Sequence, residues 1–138
     1  MSLLRPQTGP IERPSPSEFS GPYWEGCAAG ELRFQRCSDC GHSVHTPAAV
    51  CSACGSVRLV WVASSGRGVI HSYTIVWRPV TPAFVVPYAP VVVEVEEGWH
   101  LLTALVECDH DDVAIGSPVE IVFRPLADGF MLPYARPR

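Results

Sequence analysis

Cys37-Ser38-Asp39-Cys40-Gly41 and Cys51-Ser52-Ala53-Cys54-Gly55 are one five-residue device written twice. In each, two cysteines three positions apart are followed at once by glycine. Two thiolates at that spacing reach one metal ion only if the backbone turns tightly behind them. Glycine supplies the turn, because it takes up positive φ without a steric penalty. Two such knuckles facing each other make a closed tetrahedral set of four sulfurs, with no position left for water. The pattern therefore predicts a structural zinc site on Cys37, Cys40, Cys51 and Cys54, with a zinc ribbon built around it. Iron in the same four-sulfur shell is the competing occupant. His42 and His45 lie between the knuckles as alternative ligands.

Outward from the knuckles the chain reads as strands. Gly30 to Arg36 alternates apolar and polar residues into the first knuckle, and Val57 to Val62 leads out of the second. Before them, Ser17 is placed to cap a short helix carrying Tyr23 and Trp24 on its apolar side, with Gly26 or Gly30 ending it. Residues 1–16 hold four prolines and predict an extended arm, whose Met1-Ser2-Leu3 start is also compatible with a cloning remnant.

Beyond Ser64 the runs become longer and β-branched. Arg67–Trp77, Val91–Glu96, Leu101–Glu107, Val119–Phe123 and Phe130–Leu132 read as five strands, with turns at Glu97-Gly98 and Asp128-Gly129. Such a set suits a small closed barrel of the OB type, although periodicity alone does not separate it from an SH3-like barrel. The expected organisation is an N-terminal arm and short helix over 1–30, a zinc ribbon over 31–63, and a barrel with its tail over 64–138. The fold class is mainly β.

Charge and composition narrow the functions. Only 17% of residues are charged and 47% are hydrophobic, so a packed core forms and wholesale disorder is excluded. No apolar run is long enough to cross a bilayer, and the start lacks the order of a signal peptide. Metal-binding cysteines need a reducing compartment, which points to the cytoplasm. Cys27 and Cys108 are left over, as two separate half-buried thiols or as a disulfide. All ten basic residues are arginine, as a GC-rich genome would also produce. Between Arg33 and Arg78 five arginines face one acid, whereas between Glu94 and Asp128 nine acids face one arginine. The ribbon end is thus electropositive and draws an anionic ligand.

The ordered set Tyr23-Trp24-Glu25-Gly26, Gly30-Glu31-Leu32, the two knuckles, Ser65-Gly66-Arg67-Gly68-Val69, Ser72-Tyr73-Thr74 and Gly116-Ser117-Pro118-Val119 resembles the DUF35 family from about residue 17 to 133. The resemblance implies an N-terminal helical segment, a rubredoxin-like zinc ribbon and an OB-fold. It also implies an accessory role in acyl-CoA metabolism, beside thiolase-superfamily enzymes or hot-dog-fold hydratases.

No catalytic signature competes with that expectation: a nucleophile elbow is missing, and four thiolates leave zinc no open position. His71, His100 and His110 have no cluster spacing, and Asp109, Asp111 and Asp112 read as a solvated turn. Gly66-Arg67-Gly68 is too short for a phosphate loop and reads as a bend into the barrel. The leading reading is a non-catalytic subunit that binds CoA, docks on such an enzyme, or does both. Arg33, Arg36, Arg67 and Arg78 are the candidates for the CoA phosphates, with salt bridges to the acidic half as the alternative for Arg67 and Arg78. Tyr23, Trp24, Phe84 and Tyr88 are the candidates for partner or acyl contact. The last two lie in a proline-rich loop over 79–90, which reads either as a barrel cover or as a rigid apolar edge. A single-strand nucleic-acid binder is the alternative, against which nine acids across the later strands argue. A purely structural assembly module is the third reading, and a homodimer of the isolated chain is compatible with all three.

Overall fold

Ala89, Val91, Val93 and Val95 are all buried, while the residues between them turn toward the outside. That period of two is the local cause of the barrel, because one face of each strand must leave water. The computed structural model describes residues 3–138. In chain order its elements are β1 (Leu3–Leu4), α1 (Gly21–Ala28), β2 (Arg33–Cys37), β3 (Ser43–Val44) and β4 (Leu59–Ala63). There follow β5 (Arg67–Tyr73), β6 (Ala89–Val95), β7 (His100–Leu105), β8 (Cys108–Asp109), a 3-10 turn (His110–Asp112), β9 (Pro118–Pro125) and β10 (Met131–Pro137).

Five strands close the barrel in the order β10-β7-β6-β5-β9. β5 pairs antiparallel with both β6 and β9, and β10 lies antiparallel to β9 but parallel to β7. A first strand shared by the second and fourth, with the third parallel to the fifth, is the OB arrangement and rules out the SH3-like alternative. At its entrance Gly66 has φ +73°, and a side chain at Gly68 would collide with the Glu94 carbonyl of β6. The two glycines therefore serve the bend and the close strand approach, as their spacing suggests. β5 is shorter than the Arg67–Trp77 run. A bulge between Ile70 and Ser72 shifts its register, and beyond Tyr73 only a single bridge, Val76 to Tyr88, continues the pairing.

β3, β2 and β4 form the ribbon sheet. Its barrel-facing end shares the main core: Leu32 and Phe34 pack with Tyr23 and Cys27 of α1 and with Val93 and Leu101 of the barrel. Its knuckle end has almost no apolar core, only Cys37, Val44 and Cys51 backed by Ala48 and Leu59. A cluster that small cannot hold a fold by burial, so metal binding must supply the missing stabilisation there. Glu97, in the β6–β7 turn, ties the two parts together. Its carboxylate accepts from the Ser64 hydroxyl (2.6 Å) and the Ser65 N–H (2.8 Å), and its carbonyl accepts from the Ser43 hydroxyl (2.8 Å).

One expectation for the N-terminal third needs correction. Ser17 does not cap the helix; it exchanges hydrogen bonds with Ser20 in the preceding turn, and Ser20 holds the cap position without a side-chain bond. Gly26 does not end the helix but lies inside it, pressed against the Glu31 carbonyl, and the chain leaves through Gly30 at φ +76°. The arm is extended, as its prolines require, but it is strapped down rather than loose. Leu3 and Leu4 pair with Asp109 and Cys108 of β8, and Leu4 is completely buried. Met1 and Ser2, on which the reading of a cloning remnant mainly rests, lie outside the described residues. Among the described residues no helix is long and apolar enough to cross a membrane.

Candidate metal centre and docking groove

The two knuckles meet as their spacing requires. The Gly41 N–H donates to the Cys37 carbonyl and the Gly55 N–H to the Cys51 carbonyl, each at 2.9 Å, with the glycines at φ +78° and +75°. All four Sγ atoms lie within 4.8 Å of one another, and the Cys37–Cys54 and Cys40–Cys51 pairs stand 3.6 Å apart. A tetrahedral zinc with Zn–S bonds of about 2.3 Å needs sulfur separations of about 3.8 Å, so the donor set fits the ion. The Cys37 thiol is pulled down to about 6, first by the Cys40 N–H that its sulfur accepts, which favours the thiolate a metal needs. Zinc is a structural cofactor here, and His42 and His45 are not in the ligand set. His45 turns instead toward the barrel, with its ring 4.5 Å from that of Trp99, and burial pushes its pKa down to about 4.

The four aromatic residues proposed for partner or acyl contact converge. Tyr23 and Trp24 from α1, with Phe84 and Tyr88 from the proline-rich loop, line one apolar cavity of about 280 Å3. Phe84 and Tyr88 stack at 5.6 Å, and Tyr23 meets Trp24 edge-on at 4.9 Å. The loop is held from behind by the arm. The Gln7 side-chain amide donates to the Val85 carbonyl (3.0 Å) and accepts from the Val85 N–H (2.8 Å). A second cleft of about 330 Å3 shares Tyr23, Trp24 and Leu102 and extends between α1, His45 and the start of β7. Leu102, 71% exposed, stands where the two meet. Sequence reasoning passed over it, although the pair Leu101-Leu102 inside one strand forces one of two leucines onto the outer face.

The four arginines have different local surroundings. Arg33 reaches back to the Pro22 carbonyl (3.3 Å) and to Glu31 (3.4 Å), and Arg36 lies 5.1 Å over the Phe34 ring. Arg67 begins β5 and Arg78 lies beyond its far end. In the chain Arg78 immediately precedes the proline-rich loop, and Arg67 follows the ribbon exit. Cys27 is fully buried and Cys108 nearly so, both are free, and burial pushes the Cys27 thiol up to about 12. Asp109 caps the 3-10 turn by accepting the Asp111 N–H, the ordinary role expected of that acidic segment. His71 and His100, which have no cluster spacing in the chain, stand with their rings 4.5 Å apart on the barrel's outer face.

Residues 24–59 match the ChsH2 rubredoxin-like zinc ribbon domain and residues 61–124 the ChsH2 C-terminal OB-fold domain. A DUF35 domain-containing scaffold protein of Methanothermobacter thermautotrophicus is 35% identical over 100 residues, 70% of this chain and 74% of that protein. The chain belongs to the DUF35 family. Other DUF35 relatives extend the picture. The 3-oxo-4,17-pregnadiene-20-carboxyl-CoA hydratase alpha subunit of Mycobacterium tuberculosis is 38% identical over 116 residues, 84% of this chain. The chain spans only 37% of the length of that subunit. A solved structure, the Ltp2-ChsH2(DUF35) aldolase, superposes with a TM-score of 0.83 at 34% identity, covering 91% of this chain and 98% of the matched one.

Proposed function

We propose that this DUF35 chain is a non-catalytic accessory subunit of an acyl-CoA enzyme. It docks on a thiolase-superfamily or hydratase-type partner through the groove around Trp24, Leu102, Phe84 and Tyr88. The single observation that carries this reading is the convergence of Tyr23, Trp24, Phe84 and Tyr88, from two separate elements, on one cavity. Prolines and the Gln7 clamp hold those aromatics in place, so they lose little freedom when a partner covers them. The relatives named as a CoA hydratase subunit, an aldolase component and a scaffold protein support the same direction.

The chemistry available to the chain agrees. Zinc held by four thiolates offers no open position for substrate or water. The remaining cysteines are buried, and the Cys27 thiol is protonated at neutral pH. The partner therefore owns the nucleophile or base. Within the complex the cavity receives the pantetheine arm or the acyl chain, and Arg78 is the arginine best set to meet the phosphates. The work of the subunit is cytoplasmic on this reading. Acyl-CoA turnover, measured for the chain alone, for the partner alone and for the mixture, tests it: activity belongs to the partner and rises in the mixture. Turnover by the chain alone, lost on substitution of one of its own residues, overturns it.

A further inference from the structure

Three adjacent barrel strands bring two imidazoles and a carboxylate to one outer surface. Glu94 of β6 and His100 of β7 are direct cross-strand partners beside the Glu97-Gly98 turn. His71 belongs to β5, at the bulge between Ile70 and Ser72. In a regular strand two consecutive residues point to opposite faces, yet His71 and Ser72 are both exposed while Ile70 is buried. The residue out of step at the bulge is Ser72; Val69 exposed, Ile70 buried and His71 exposed follow the ordinary alternation, which puts His71 on the outer face beside His100. One ligand atom from each of the three lies within 4.8 Å of the others. Among the described residues none of these three side chains makes a hydrogen bond or an ion pair, so their donor atoms are uncommitted.

We propose that His71, Glu94 and His100 form a second metal site, separate from the ribbon, for a divalent transition ion of the zinc class. Two imidazole nitrogens with one carboxylate oxygen suit that class far better than calcium or magnesium, which favour all-oxygen shells. Bond lengths of about 2.0–2.2 Å need donor separations of about 3.4 Å, which exposed side chains reach by small rotamer changes. Unlike the four-sulfur centre, this one has three protein ligands and keeps a position open for water or for a donor from another molecule. His100 also lines the cleft next to Trp24 and Leu102, so the open position lies at the rim of the groove. The Asp109-His110-Asp111 group is not equivalent, because Asp111 already pairs with His110 at 3.0 Å and Asp109 caps the turn.

Equilibrium dialysis of the zinc-loaded chain against Zn2+, with metal counted per chain, tests the site. The wild type and His110→Ala retain a second ion beyond the one in the ribbon. His71→Ala and His100→Ala retain the ribbon ion but lose affinity for the second by more than about tenfold, since even losing a group that only orients a ligand costs that much. The ring resonances of His71 and His100 shift as the second ion binds. A wild type that stops at one ion, or a second ion unaffected by His71→Ala and His100→Ala, overturns the proposal.

Discussion

The His45 imidazole lies 4.5 Å, ring centre to ring centre, from the Trp99 indole, and through this contact the ribbon presses on the barrel. Trp99 in turn stacks on Phe34 of β2 at 5.5 Å. A charged imidazole has no place in that stack, and burial accordingly holds the His45 pKa down to about 4, against an ordinary value of 6.5.

The pH dependence follows from that shift. The unfolded chain takes up the His45 proton near pH 6.5 and the folded chain only near pH 4. Stability is therefore full above pH 6.5 and falls as the pH drops toward 4, by about 1–3 kcal/mol from this residue. His45→Phe keeps a ring against Trp99 but cannot be protonated. Denaturant melts across that window are expected to show a shallower loss for the variant. Equal slopes for variant and wild type contradict the assignment.

Removing one zinc ligand separates the ribbon from the barrel. Cys40→Ser is expected to release the ribbon zinc and to unfold the knuckles, because the binding energy of such a site is folding energy. The barrel keeps its own core and remains folded. Metal analysis together with amide exchange reads both effects. Freshly purified wild type with no sulfur-bound zinc or iron contradicts the site.

The arginines give a selective prediction. Arg78 directly precedes the loop that carries Phe84 and Tyr88, whereas Arg67 begins β5 after the ribbon. Arg78→Ala is expected to weaken CoA binding by about 1–3 kcal/mol, the scale of a charge-assisted hydrogen bond, and Arg67→Ala to leave it nearly unchanged. Added salt weakens the wild-type interaction, since exposed charges are screened within about 8 Å at physiological ionic strength. Calorimetry with CoA measures all three. A loss confined to Arg67→Ala contradicts the assignment.

Most of the fold was legible because it rests on local rules. Cys-x-x-Cys-Gly favours a knuckle, and the alternation of apolar and polar residues over 30–36 favours the strand that runs into it. That Phe84 and Tyr88 stand together between prolines was legible too; that they meet Tyr23 and Trp24 at one cavity was not. What stayed hidden depends on distant pairing. Nothing near Leu4 or Gln7 announces that they dock on β8 and on Val85, more than seventy positions away. His71 and His100 are twenty-nine positions apart, and only the pairing of β5, β6 and β7 sets them side by side.

Leu102 offers the most direct test of the central claim, that this subunit works by docking through its apolar groove. Its side chain is exposed, so Leu102→Asp leaves the core intact, while a carboxylate at the junction of the two clefts cannot be covered by an apolar partner surface without a desolvation cost of several kcal/mol. Gel filtration of the chain with its partner acyl-CoA enzyme reads the outcome. The account predicts that wild type co-elutes with the enzyme and that Leu102→Asp, equally folded by circular dichroism, elutes alone. Co-elution of the Leu102→Asp chain at the wild-type affinity would contradict it.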